Sequence, residues 1–230
     1  MKKLIFVLAL GLVLGLTTSA RAVMVTATVT GDNWKWIWDG SLPWHDGDHF
    51  DNWRSSDSLT FDVPSGQTLP LYFAVMNETK GSGNPGGFLA ELTTNIPGFT
   101  FKETGTGKLL SSDAIYWQVA VVLPETWVTT LPTPVEFSLV DSPTFDPTQI
   151  TGWGKPTDSG ANGVSPWGTI AGIDGNAHWI YTANNSGNSL ITDDYLVVFR
   201  TYATPVPEPA TMSLLGMGIL GVFGLRKKKA

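Results

Sequence analysis

Val23, Val25, Ala27 and Val29 alternate with Met24, Thr26, Thr28 and Thr30. A period of two sends successive side chains to opposite faces of an extended chain, so this run predicts a half-buried strand rather than an amphipathic helix. Similar runs recur at 34–38, 58–63, 69–76, 88–93, 99–103, 115–123, 135–140, 178–182 and 195–202. Turn-forming Gly, Asn and Ser punctuate them at 81–87, 158–163 and 184–188. With no long helical period and no fixed repeat, the pattern predicts an all-β chain, an antiparallel β-sandwich or jelly-roll-like single domain over residues 23–202. The Gly- and Pro-rich stretch 142–177 reads as a long loop excursion, and loops on a β scaffold are where binding residues gather. Residues 203–206 are expected to be a short linker, reaching about 14 Å when extended.

The two ends differ in character from this body. Lys2 and Lys3 precede an apolar run over residues 4–16, and residues 17–22 end in Ala20-Arg21-Ala22. Basic start, short apolar stretch and small-residue cleavage site together predict a secretory signal peptide over residues 1–22, with Ala20 and Ala22 at the cut and Val23 as the mature start. At the other end Pro207-Glu208-Pro209 is followed by 16 uncharged residues, 210–225, then Arg226-Lys227-Lys228-Lys229-Ala230. As a helix that run extends roughly 24 Å, the short edge of what spans a bilayer core. The basic cluster after it would stop transfer and stay in the cytoplasm.

Charge separates ends from body as well. The whole chain carries 14 basic and 20 acidic residues, for a net charge of −6, but residues 23–206 hold 7 basic and 19 acidic groups, a net of −12. A body this acidic argues against nucleic acid as a partner. The chain has no Cys, which excludes disulfide scaffolds, thiolate metal sites and cysteine nucleophiles.

Pro207, Glu208 and Pro209, an apolar stretch and the cluster Arg226, Lys227, Lys228 and Lys229, in that order at the C-terminus, resemble the PEP-CTERM sorting domain of Gram-negative bacteria. The resemblance covers about 25 residues of the chain. It implies recognition by an exosortase, a membrane-embedded transpeptidase-like protease that would cut near residues 207–209. The body would be transiently membrane-anchored and then passed to the envelope, the outer surface or an extracellular matrix. Such systems accompany exopolysaccharide production and biofilm or floc formation.

Two constellations in the body invite chemistry. Of ten Trp residues, Trp34, Trp36, Trp38, Trp44 and Trp53 fall close together. In a strand Trp34, Trp36 and Trp38 share one face at about 6.8 Å intervals. Exposed, that row is a stacking platform for sugar rings; turned to the core, it would leave Lys35 and Ile37 outside, and burial statistics favour this second arrangement. Asp46, Asp48 and Asp51 around Gly47 offer hard oxygen ligands suited to calcium, the one cofactor the sequence raises. Gly47 makes a helical zinc pair of His45 and His49 poor, and a metal-free polar hairpin end with Asx turns explains the same residues. No nucleophile elbow, metalloprotease helix motif or phosphate-cradling loop occurs, so no catalytic residue is assigned. The reading is a non-enzymatic surface or matrix protein whose body binds extracellular polysaccharide. The alternatives are a secreted carbohydrate-active enzyme using an Asp/Glu pair and a purely structural matrix component.

Overall fold

The computed structural model describes residues 22–32, 34–38, 45–46, 53–76, 86–113, 115–124, 145–182 and 194–208. Among them the chain is all-β, with one short 3₁₀ turn at Pro147–Gln149. The strands are β1 (Ala22–Asp32), β2 (Trp34–Trp38), β3 (His45–Asp46), β4 (Asp57–Pro64), β5 (Leu69–Met76), β6 (Gly87–Thr94) and β7 (Phe99–Phe101). They continue with β8 (Lys108–Leu110), β9 (Trp117–Pro124), β10 (Thr157–Ala161), β11 (His178–Tyr181), β12 (Asp194–Ala203) and β13 (Pro205–Pro207). A six-stranded sheet runs β10-β11-β6-β1-β4, with β8 on the free part of β6; a five-stranded sheet runs β3-β2-β5-β12-β9; β13 and β7 form a separate pair. The named strand pairs are antiparallel.

The period-two reading holds at β1. Val23, Val25, Ala27 and Val29 are buried, whereas Met24 is 46% exposed. Their face meets Leu71, Phe73 and Val75 of β5 and Val197 and Phe199 of β12 in one core cluster. Phe88 of β6 joins the two large sheets: its ring stacks on Phe199 at 4.6 Å and lies 5.4 Å from Phe73 and 5.6 Å from Trp117. Each such ring removed from water contributes about 1.5–3 kcal/mol.

Alternation gives way where both faces of a strand are covered. On β5, Tyr72, Ala74 and Met76 point away from the central core yet are buried, because Phe145, Ile150 and Trp153 pack over them. On the six-stranded sheet, Leu89 and Trp179 are covered in the same way by Trp167, Ile170, Ile173 and Ala177. Residues 145–177 thus supply a roof for the outer face of each large sheet, where the sequence predicts a long loop excursion over 142–177.

Several boundaries depart from expectation, among them that of β9, which begins at Trp117 rather than at residue 115. β7 ends at Phe101, two residues short of the expected strand, where the Gly105 N–H returns to the Phe101 carbonyl at 2.7 Å. β10 lies where residues 158–163 predict a turn. The expected linker 203–206 is part of the fold: Ala203 ends β12, and Pro205 and Val206 belong to β13. The expected strand at 135–140, residues 1–21 of the expected signal peptide 1–22 and the tail 209–230 lie outside the described residues, and Ala22 is the first residue of β1. Among the described residues no helix is long and apolar enough to cross a membrane.

Candidate functional site

The sequence motif at the C-terminus begins inside the folded body. Pro205, Val206 and Pro207 stand opposite Phe101, Thr100 and Phe99. The Lys102 N–H donates to the Thr204 carbonyl at 2.9 Å, and the Glu208 N–H donates to the Gly98 carbonyl at 2.8 Å. In an antiparallel ladder, hydrogen-bonded residues alternate with residues that face away, so Thr204, Val206 and Glu208 address β7 while Pro205 and Pro207 do not. Proline is tolerated at the latter positions because its missing N–H has no ladder partner to lose. The away-facing Pro205 carbonyl accepts from the Gly66 N–H at 2.8 Å. Thr204 is buried; its N–H donates to Glu103 Oε2 at 3.2 Å and its hydroxyl pairs with that of Thr68 at 2.9 Å.

The other end of the body emerges at the same place. Ala22, the first residue of β1, stands opposite Pro64. Pro64 ends β4, and Gly66 and Thr68 belong to its connection to β5, so one turn region adjoins both the first and the last strand. Ala22 is exposed there, and Ala20 lies outside the described residues.

A second feature lies on the outer face of the five-stranded sheet. An open groove of about 300 Å³ is lined by Ile115, Trp117, Gln118, Trp153, Gly154 and Lys155. The Gly154 N–H and carbonyl bond to the carbonyl and N–H of Val119, at 2.8 and 2.9 Å, which fixes this end of the roof to β9. Trp153 donates its indole N–H to the Ile150 carbonyl at 2.8 Å. The Arg200 guanidinium lies 4.1 Å from the Trp153 ring centroid and 5.7 Å from that of Tyr202, and its Nε donates to Gln118 Oε1 at 2.6 Å. Beneath them burial raises the pKa of Tyr72, with the neighbouring Tyr202 acting in the same direction. Half-buried indole, amide and two cations form a surface that can stack on an apolar ring face and donate hydrogen bonds at its rim.

An adjacent groove of about 470 Å³ contains two carboxylates, Glu103 and Asp113. Each already accepts a backbone N–H: Glu103 from Thr204 at 3.2 Å and Asp113 from Leu110 at 2.9 Å. These contacts account for both groups as supports of the fold.

The tryptophan row is placed differently from either sequence expectation. Ile37 enters the central core and Lys35 is buried, with its ammonium 2.8 Å from Asp57. Trp36 is 1% exposed and Trp38 half-buried on the outer face, under the roof with Phe145, Ile150 and Trp153. Trp36 therefore offers no stacking platform, and Lys35 and Ile37 are not outside. The physical reason is that β2 is covered on both sides, where alternation no longer tells in from out. The side chain of Trp34 lies outside the described residues, as do Asp48, Asp51 and the side chain of Asp46, so the calcium expectation falls outside them too. Among the described residues no group of three or more His, Asp or Glu is placed to hold a metal. Arg226, Lys227, Lys228 and Lys229 also lie outside. The sequence singles out Trp153, Trp167 and Trp179 as isolated indoles in or beside a loop-rich stretch suited to carbohydrate contact; Trp167 and Trp179 are buried, Trp153 borders the groove, and the groove's other residues are too far apart in sequence to be read together.

No curated protein and no solved structure matches the chain. Residues 205–229 match the PEP-CTERM protein-sorting motif, and that motif marks an exported protein sorted to the cell surface through processing by an exosortase, a membrane protease.

Proposed function

We propose that the protein is a non-enzymatic component of the cell surface or biofilm matrix of a Gram-negative bacterium, and that its β-sandwich body binds extracellular polysaccharide. In this reading a signal peptide over residues 1–22 starts export. The apolar run 210–225 then anchors the chain as a transmembrane helix until the exosortase removes the tail. The sorting motif carries the address. The single observation that supports the ligand is the Trp153 groove, where an indole, Gln118, Lys155 and Arg200 converge on a body that is otherwise strongly acidic. Stacking on a sugar C–H face needs the indole, and the surrounding donors suit hydroxyl or carboxylate oxygens.

Co-sedimentation of the purified protein with the producer's own extracellular polysaccharide tests this. Retention is expected for the natural chain and loss of retention for Trp153→Ala, with both results unchanged in chelator because the groove has no carboxylate lining. Retention abolished by chelator would move the site to Asp46, Asp48 and Asp51. No retention in any condition would leave a structural matrix component as the reading. Release of reducing sugar, abolished by Glu103→Gln or Asp113→Asn, would instead favour an enzyme using the neighbouring groove.

A further inference from the structure

We propose that the body positions its own sorting motif: β13 stays paired with β7 during processing, the exosortase cuts on the C-terminal side of Glu208, and the sorted protein keeps residues 205–208 as its last strand. The inference rests on the exosortase reading of the motif and adds where on the chain that enzyme can act.

A protein that binds a peptide as an extended segment commonly pairs with one edge of its backbone. β13 has no such edge to offer. The edge toward β7 is occupied, through Thr204, Val206 and Glu208. The opposite edge carries Pro205 and Pro207, which have no N–H, and the Pro205 carbonyl is taken by Gly66. Cutting at Pro207 or earlier would require peeling off Val206 and Glu208. It would also disturb the buried Thr204, which Lys102, Thr68 and Glu103 hold. Cutting beyond Glu208 breaks none of these contacts. The amide C–N bond there opens, its acyl carbon passes to water or to an acceptor's amine or hydroxyl, and the departing tail keeps the nitrogen with a proton.

Geometry narrows the position further. The Glu208 N–H is the last described contact between the chain and the body, and only Pro209 separates that residue from the apolar run at 210. The alternation of Pro205 and Pro207 serves both purposes at once: it leaves the alternate residues free to pair with β7 and gives the outer edge of β13 no donors.

Two measurements on the full-length protein test the proposal. In detergent micelles, the Val206 and Glu208 amides should exchange with solvent at least about tenfold more slowly than in a free peptide. Exchange at the free-peptide rate would overturn the pairing. In the producing cells, intact mass of the released protein should place its C-terminus at Glu208 or beyond, and a terminus at Pro207 or earlier would overturn the positioning. Thr100→Pro removes the N–H opposite Val206 without touching the motif. It should abolish the exchange protection and spread the released termini upstream of Glu208, whereas an unchanged single terminus would count against the body's role. A natural chain that reaches the surface with its tail uncut would sink the exosortase reading itself, a failure the exchange experiment distinguishes from loss of β13.

Discussion

Residues 145–177 cover two sheet faces with the same residue type and two different outcomes. Over the six-stranded sheet, Trp167 stacks on Trp179 with ring centroids 4.6 Å apart, and both indoles are buried. That roof is tied down by polar groups: Trp167 donates to Asp32 Oδ2 at 2.8 Å, and the Asn162 amide donates to the Ile170 and Ile173 carbonyls at 3.1 and 2.9 Å while accepting from the Ile170 N–H at 2.8 Å. Over the five-stranded sheet the roof is shorter. Asp146 anchors it by accepting from the hydroxyl and N–H of Thr148 at 2.7 and 2.9 Å, bonds that also lower its pKa, and Trp153 is left half-buried beside a groove. The sealed indole supports the fold; the half-sealed one borders the groove in which the ligand is proposed to sit. Tryptophan content alone does not separate these roles, and the polar anchors around each ring do.

The strongest way to break the sealed roof is Trp179→Ala. Removing a fully buried indole whose stacking partner cannot follow it should lower unfolding free energy by about 3–5 kcal/mol in urea titration. A loss under about 1 kcal/mol would mean the roof collapses onto the gap, and the two roofs would then be alike. Next comes the floor beneath the stack. A methyl group at Gly87 would sit 2.7 Å from the Trp179 ring and 3.0 Å from that of Trp167. Gly87→Ala should therefore cost about 1–3 kcal/mol by overpacking. Paired with Trp179→Ala, much of that penalty should vanish, which a double-mutant cycle would read directly.

Much of this architecture was legible in the sequence, and the failures have physical causes. β2 and β5 have the bounds their patterns predict, and β1, β4, β6, β11 and β12 lie within a few residues of theirs, because one apolar face is enough to mark a strand. β10 reads as a turn since Asp158-Ser159-Gly160 has turn composition. It pairs with β11 through a register shift between Asp158 and Gly160, with Gly160 at φ 108°, a conformation glycine adopts without strain. β13 was hidden because proline normally argues against a strand, and only the two-residue spacing reveals that the prolines face away from the ladder. At β2 alternation marks the strand but not which face is covered, since Phe145, Ile150 and Trp153, distant in sequence, cover the face that would otherwise meet solvent. The sorting motif was the most legible site because its signal is contiguous. The groove draws on β9, β12 and the roof, and no local window holds all of them.

At the open roof, Trp153→Ala should cost only about 1–2 kcal/mol, since the ring is half-exposed and gives up mainly partial burial and its contact with Arg200. Its effect on polysaccharide retention should be the larger one. Trp179→Ala, measured where it remains folded, should leave retention intact. The reverse pattern, with binding lost through the sealed roof, would show that the ligand face belongs to the six-stranded sheet.

The smallest expected effect concerns a charge that clips the sealed roof to β8. Lys108 reaches Asp174 at 2.8 Å and Glu91 at 2.9 Å, and the Glu91 carboxylate accepts from the Asp174 N–H at 2.7 Å. The hydrogen bond from Lys108 lowers the Asp174 pKa below its ordinary 3.8, and the same bond raises that of Lys108 above 10.5. A depressed carboxylate contributes stability above its unfolded pKa and loses it as pH falls through the folded one; a raised ammonium contributes below 10.5 and loses it as pH rises further. Between these limits the clip is constant. Lys108 is half-exposed, so solvent screening keeps the contribution of the Asp174 bridge to about 0.5 kcal/mol. Asp174→Asn should therefore lower stability by about that amount near neutral pH, and the gap to the natural protein should close as pH falls through the depressed pKa of folded Asp174, below which the carboxylate is neutral in both states. A gap that persists in acid would assign the effect to the Asn176 contacts of Asp174, at 2.9 and 3.0 Å, rather than to charge.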